Sequence, residues 1–304
     1  MKVLVTGKGG QLAWELQQAK PEGVELFSLG IDELDITDQS AVELAFATIK
    51  PNVVINAAAY TAVDLAESHQ DIAYAVNQQG PRFIAQSCKK TNAYLLHVST
   101  DFVFSGDKAT PYSVDAVAKP LNVYGASKLA GDLAVAEVLA DQALIVRTAW
   151  VYSVHGNNFV KGMIKLMESK SELGIIYDQV GTPTWAKGLA LWLWTMVAKL
   201  NKDENTAGAY QLAGTAKGQV STFHWTDAGL ASWYDFAIAI QELGLEKGLL
   251  SQAIPIKAIP ASAYPLPAVR PSFTVLNKIT AEQASGIETI HWRKQLSLMM
   301  DQLV

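Results

Sequence analysis

Cysteine is almost absent from this chain of 304 residues: Cys88 is the single one. One thiol cannot close an internal disulfide, so the protein is not a cross-linked secreted scaffold, and a reducing cytoplasm suits it. Cys88 lies in an apolar, helix-like stretch and reads as a small buried hydrophobe rather than a nucleophile. Runs of one charge are also missing. The 24 basic and 29 acidic residues, net −5, are spread along the chain, which excludes a nucleic-acid surface but not local groups for a small anion. Long apolar runs are missing too. Gly188 to Leu200 is the most apolar of the later segments but is too short to span a bilayer, so a buried helix is expected and no membrane partner. Met1 leads directly into a strand-like segment with no signal-peptide pattern, and a cytoplasmic location is expected.

What is present is apolar content, half of all residues, enough for a sizeable core. Lys2 to Thr6, Val24 to Leu29, Val53 to Asn56, Tyr94 to Ser99 and Ala143 to Arg147 are strand-like. Between them lie helical patterns such as Gln11 to Ala19 and Thr37 to Ile49. The strands are continuous β-branched runs rather than alternating ones, which suits a parallel sheet covered on both faces. The fold expected is α/β, a Rossmann-like doubly wound parallel sheet over residues 1–150. Residues 151–304 are expected to form mostly a smaller C-terminal substrate-binding lobe, with some segments returning to the sheet. There, helices are expected at Phe159 to Ser169, Trp185 to Leu200 and Ser232 to Leu243. Asp203 to Thr222 is rich in Gly, Thr and Ser, and Ile254 to Pro271 holds Pro255, Pro260, Pro265, Pro267 and Pro271, so it must be extended or turning.

The first strand runs into Gly7, Lys8, Gly9, Gly10, Gln11 and Leu12, then a helix. Glycine permits the tight turn and lets backbone approach a pyrophosphate, whose charge the helix N-terminus favours. Ala13 stands at the last glycine of the common pattern, where a small residue suffices. The second strand ends at Leu29, Gly30 and Ile31, without an acid for a ribose hydroxyl or an arginine for a 2′-phosphate. Asp35 and Ile36, slightly beyond, are candidates to flank an adenine. NADPH and NADH therefore both remain open as cofactor.

Tyr124 and Lys128 are four residues apart on an expected helix, so they share one face. An ammonium beside a phenol stabilises the phenolate and lowers its pKa from about 10, equipping it for proton exchange. Ser99, Thr100 and Asp101 follow an apolar strand. A hydroxyl at such a strand end can polarise the carbonyl that the tyrosine protonates. His97, inside the strand, reads as a packed core residue.

Glycine turn, Ser/Thr site and Tyr-x-x-x-Lys together resemble the extended short-chain dehydrogenase/reductase superfamily. More specific runs resemble its dTDP-4-dehydrorhamnose reductase family: Asn56 to Asp64 (NAAAYTAVD), Ser99 to Phe104 (STDFVF), Pro120 to Gly125 (PLNVYG) and Arg147 to Tyr152 (RTAWVY). Gly156 to Phe159 (GNNF), Asp178 to Thr184 (DQVGTPT) and Tyr264 to Ala268 (YPLPA) with Arg270 and Pro271 extend the likeness over nearly the whole chain.

That resemblance implies reduction by NADPH or NADH of the C4 ketone of dTDP-4-dehydro-L-rhamnose, a nucleotide-sugar precursor of cell-surface polysaccharide. It implies that Thr100 polarises the ketone, Tyr124 delivers the proton, and Lys128 tunes the tyrosine and holds the nicotinamide ribose. Ala57, Ala58, Ala59 and Tyr60 are implied to pass beside the cofactor. Trp150 is implied to wall the hexose, Asp101 to bind a sugar hydroxyl, and Asn157, Asn158 and Arg270 to reach the nucleotide end. Leu65, where the family usually has lysine, and Phe273, where a small polar residue is usual, are departures. Some relatives are metal-bridged dimers; here Glu15 is present but Lys187 takes the partner position, so no metal is expected and a homodimer stays open. A silent binding subunit has no need of Thr100, Tyr124 and Lys128 together. A dehydratase would be expected to carry an acid after Asp101, where Phe102 stands.

Overall fold

The computed structural model describes residues 1–202, 210–212 and 218–303. Much of the Gly-, Thr- and Ser-rich stretch from Asp203 to Thr222 thus lies outside the described residues. Five strands follow one another as expected: β1 (Lys2–Thr6), β2 (Glu25–Leu29), β3 (Val53–Asn56), β4 (Tyr94–Thr100) and β5 (Ala143–Thr148). They are parallel and lie in the order β5, β4, β3, β1, β2. A sixth strand, Ser221–His224, returns to pair parallel with β5. The sequence pattern did not single it out, because a four-residue edge strand after a polar stretch carries little periodic signal.

Helices cover both faces. On one, α1 (Gln11–Gln18) packs with Ala186–Ala198, the apolar stretch around Trp192 and Trp194. Trp192 is fully buried and Trp194 Nε1 donates to Leu16 O at 3.0 Å, so this helix is core, as expected. Among the described residues no helix is long and apolar enough to cross a membrane. On the other face, α2 (Gln39–Ile49), helix Gly80–Thr91 and helix Val123–Leu139 enclose Ile84, Cys88 and Val135. The α2 start is two residues later than expected because Asp38 caps it, accepting from Ser40 N and Ala41 N. Cys88 is fully buried, and that burial pushes its thiol pKa up.

A second core joins Phe159–Ser169, Trp233–Glu246 and Trp292–Met300 through Met163, Phe236 and Leu296. Trp233–Glu246 begins on a capping box of Ser232 and Asp235. The proline-rich stretch is extended, and its Ile256–Ile259 pairs parallel with Leu173–Ile176. Glu15 lies buried beneath this lobe, accepting from Ser153 Oγ at 2.7 Å and Trp185 Nε1 at 3.0 Å. Lys187 holds its ammonium 4.9 Å from the Trp185 ring centroid.

Candidate active site

A cavity of about 800 Å³ opens at the carboxyl ends of β1, β3, β4 and β5. The chain leaves β1 toward β2 on one side and returns to β3 on the other, so a crevice forms there. Its floor at one end is the glycine turn. Gly7 adopts φ +80°, and a Cβ there would stand 2.8 Å from Ala58 N. Only glycine lets the turn pass this close to the loop after β3. Gly10 precedes α1 without any side-chain cap, so the first helical N–H groups point toward the cavity unmatched by a capping side chain. Gly9, φ +92°, has open space where its Cβ would be. Such a cradle fits the pyrophosphate of a dinucleotide.

Gly7, Gly9, Gly10, Gln11, Leu12, Asp35, Ile36, Ala57, Ala58, Ala59, Thr100, Asp101, Tyr124, Lys128, Trp150, Asn157 and Arg270 all line this one cavity. Two expected residues do not. Tyr60 turns aside: its N–H donates to Asn77 Oδ1 at 2.8 Å and its hydroxyl is 3.2 Å from His69 Nδ1. Asn158 is spent on structure, capping Phe159–Ser169 through Lys161 N and donating to Ser153 O at 2.6 Å and Gln11 Oε1 at 2.9 Å. An amide before a helix serves as a cap as readily as a ligand, and the structure shows Asn158 as a cap. Asp35 does line the cavity, while its Oδ1 accepts from Thr37 N and Oγ1.

The helix that carries the pair, Val123–Leu139, is held from both ends of the chain. Asn122 caps it through Gly125 N at 2.8 Å and donates to Val269 O at 2.8 Å, while Val123 N donates to Glu67 Oε1. Glycines bring it close: a Cβ on Gly125 would lie 2.1 Å from Phe102 O, and one on Gly131 2.0 Å from Asn77 O. The helix therefore rests directly on the backbone beyond β4, which sets Tyr124 beside Thr100.

Burial pushes the Tyr124 hydroxyl up to about 12, the Thr100 hydroxyl opposes this, and Asp101 and Asp132 push the same way as burial. This corrects the expectation that the lysine lowers it. Lys128 is fully buried and donates to Val98 O at 2.7 Å; burial lowers it to about 8, opposed by Asp132. Tyr124 is thus a protonated donor at neutral pH, suited to giving rather than taking a proton.

Behind the lysine lies a buried network that the sequence left unmarked. Asp132, one turn beyond Lys128, sits 3.4 Å from Arg147 Nε and 3.7 Å from His97 Nε2. His97 Nδ1 lies 3.1 Å from Asn56 Nδ2, and burial drives its pKa well down, so it is a neutral core residue as expected. These partners come from three strands and a helix, and no local spacing connects them. Trp233 was missed for the same reason. It stacks on Trp150 at 3.6 Å between centroids and 8° between planes, making the apolar wall a pair of indoles. Arg270 reaches the cavity while its fork grips both oxygens of Asp64, at 3.0 and 2.7 Å.

A glycine-cradled dinucleotide crevice with Thr, Tyr and Lys at one end defines a short-chain reductase type of site. The family profile described as RmlD substrate binding domain matches residues 1–304. A dTDP-4-dehydrorhamnose reductase of Burkholderia thailandensis is 38% identical over 309 residues, covering 100% of this chain and 99% of that protein. One from Streptomyces griseus is 42% identical, covering 97% and 91%. Among solved structures, a dTDP-4-dehydrorhamnose reductase of Clostridium acetobutylicum superposes with a TM-score of 0.88 at 37% identity, covering 100% of this chain and 99% of that one. Another from Bacillus anthracis, in complex with NADP, gives 0.88 at 30% identity, covering 99% of each. The chain belongs to the dTDP-4-dehydrorhamnose reductase family.

Proposed function

We propose that the protein reduces the C4 ketone of dTDP-4-dehydro-L-rhamnose to dTDP-L-rhamnose with NADPH or NADH. The observation that carries this reading is the continuity of one cavity from the glycine turn to Thr100, Tyr124 and Lys128. Family membership supplies the substrate class. The bound nicotinamide supplies the hydride. Gly7, Gly9, Gly10, Gln11 and Leu12 hold the pyrophosphate on backbone N–H groups, and the small side chains of Ala57, Ala58 and Ala59 let the cofactor lie close. Asp35 and Ile36 flank its adenosine end.

Lys128, anchored on Val98 O, offers its remaining protons to the nicotinamide ribose. Thr100 polarises the ketone oxygen and Tyr124 gives it the proton as negative charge develops there. Trp150 and Trp233 wall the sugar, Asp101 lies at its edge, and Asn157 and Arg270 serve the nucleotide end. Residues 1–150 serve the cofactor and most of 151–304 the sugar. The enzyme works in the cytoplasm, a site consistent with its single, buried thiol.

The test is cofactor oxidation with dTDP-4-dehydrorhamnose, run with NADPH and NADH side by side. Tyr124→Phe is expected to lose at least ~100-fold in turnover. Unchanged turnover in that variant would sink the mechanism, and activity with UDP- or GDP-linked ketosugars alone would sink the substrate.

A further inference from the structure

Glycine gives the phosphate-binding turn its path but no side chain to hold it. Gly9 sits at φ +92° with open space where a Cβ would be, so nothing within the turn's own side chains restrains the Gly9–Gly10 peptide plane. That plane leads directly into α1, whose first N–H groups point toward the cavity. Its restraint comes from two sides. Gly10 N donates to Gly7 O at 3.0 Å, and the other end of the same peptide, Gly9 O, lies 3.0 Å from Nε2 of His155 in the C-terminal half of the chain. A carbonyl oxygen only accepts, so the imidazole is the donor and carries its proton on Nε2.

The histidine is itself held. Its ring stacks on Trp14 of α1, with 5.5 Å between centroids and 3° between planes, and both residues are half-buried. Its backbone N–H donates to Ser153 Oγ at 3.1 Å, and that hydroxyl donates to the buried Glu15 at 2.7 Å. Lys161 Nζ, from helix Phe159–Ser169, donates to the carbonyls on either side, Val154 O at 3.2 Å and Gly156 O at 2.8 Å. A side chain tied at its ring, at its backbone and at both neighbouring residues gives up little further freedom in reaching Gly9.

We propose that His155 is a positioning residue for the cofactor: its Nε2–H fixes the Gly9–Gly10 peptide from the C-terminal lobe and so presets the start of α1 for a dinucleotide pyrophosphate. The inference rests on the reductase reading above. The path of the turn is local to its glycines. What His155 adds is the orientation of one peptide that those glycines leave free. Without it the plane can rotate, and a binding cofactor must arrest that rotation at a cost in affinity. Loss of one neutral hydrogen bond of this kind corresponds to ~3- to 10-fold weaker cofactor binding.

Three variants separate the donor from the ring. His155→Phe keeps a ring for Trp14 and lacks the donor, His155→Gln keeps an N–H donor and lacks the ring, and His155→Ala lacks both. Each is titrated with NADPH and with NADH in the absence of sugar, with binding followed by nicotinamide fluorescence. His155→Phe and His155→Ala are expected to bind ~3- to 10-fold more weakly than wild type, and His155→Gln within about 2-fold of it. In turnover the KM for the cofactor rises by the same factor, while kcat at saturating cofactor stays within about 2-fold. Equal losses in all three variants overturn the proposal, since the ring then packs the loop and its N–H positions nothing. Wild-type affinity in His155→Phe overturns it as well. A second readout needs no ligand: hydrogen exchange at the Gly10 amide is expected to be faster in His155→Phe than in wild type or His155→Gln, and identical exchange refutes the restraint. Neither measurement contains the sugar, so a wrong substrate fails in the turnover assay and leaves both of these results standing.

Discussion

Gly125→Ala sets two effects against each other on the helix that carries Tyr124. Helix propensity favours the substitution by up to ~1 kcal/mol. Space opposes it, since the new Cβ would stand 2.1 Å from Phe102 O and 2.9 Å from its carbonyl carbon. Both obstacles are backbone, so no side chain can swing away. Restoring ordinary contact moves the helix off the β4 end by about 1 Å, a displacement that costs on the order of 100-fold when it separates reacting groups. Overpacking of this kind costs ~1–3 kcal/mol, so the clash wins over propensity and the net loss is ~1–2 kcal/mol. For a chain of this length that is a fall in Tm of about 2–3 °C.

Gly162, inside helix Phe159–Ser169, is the control, because nothing lies within 4 Å of its added Cβ. Gly162→Ala should gain up to ~1 kcal/mol and leave kcat unchanged. Thermal unfolding and steady-state cofactor oxidation on the two variants decide the matter. A Gly125→Ala protein with raised Tm and wild-type turnover would refute the claim that glycine contact sets the tyrosine in place.

Asp227 is buried, accepts from Trp185 N at 3.0 Å, and is raised to about 8, chiefly by burial. Its pKa in the unfolded chain is about 3.9, so the native state holds the extra proton between these values. That stability is fully present below about pH 4 and is lost as pH rises through about 8. Asp227→Asn should therefore raise Tm more at about pH 8 than at about pH 5, and an unchanged pH slope of Tm would contradict it. Asp64→Asn removes the charge that grips Arg270, and the expected outcome is a KM for the nucleotide sugar raised ~10-fold with kcat within about 2-fold. An unaltered KM would show that Arg270 needs no such support.

The parts of the site legible in the sequence are those whose chemistry is local. Gly7 to Leu12 fold into a strand-to-helix turn whatever the rest of the chain does, and Tyr124 with Lys128 share a face by helical spacing alone. Thr100 is legible because a buried strand must end where polar residues begin. Less legible were Asn158, where cap and ligand have one signature, and Tyr60, which ends a run of small residues but stands outside the cavity lining with its N–H on Asn77. Trp233, the Asp64 grip on Arg270 and the strand Ser221–His224 come together only by long-range packing.

The most consequential difference concerns Tyr124 itself. Reasoning from the pair alone, the lysine charge dominates and the phenol is acidified. In the folded chain, desolvation acts on both groups at once: it raises Tyr124 and weakens the ammonium that was meant to lower it. Asp132 then matters twice, supporting the charge on Lys128 while opposing a phenolate on Tyr124. A protonated tyrosine is the state a reductase needs before hydride arrives, and a depleted one is the state it must repair afterwards.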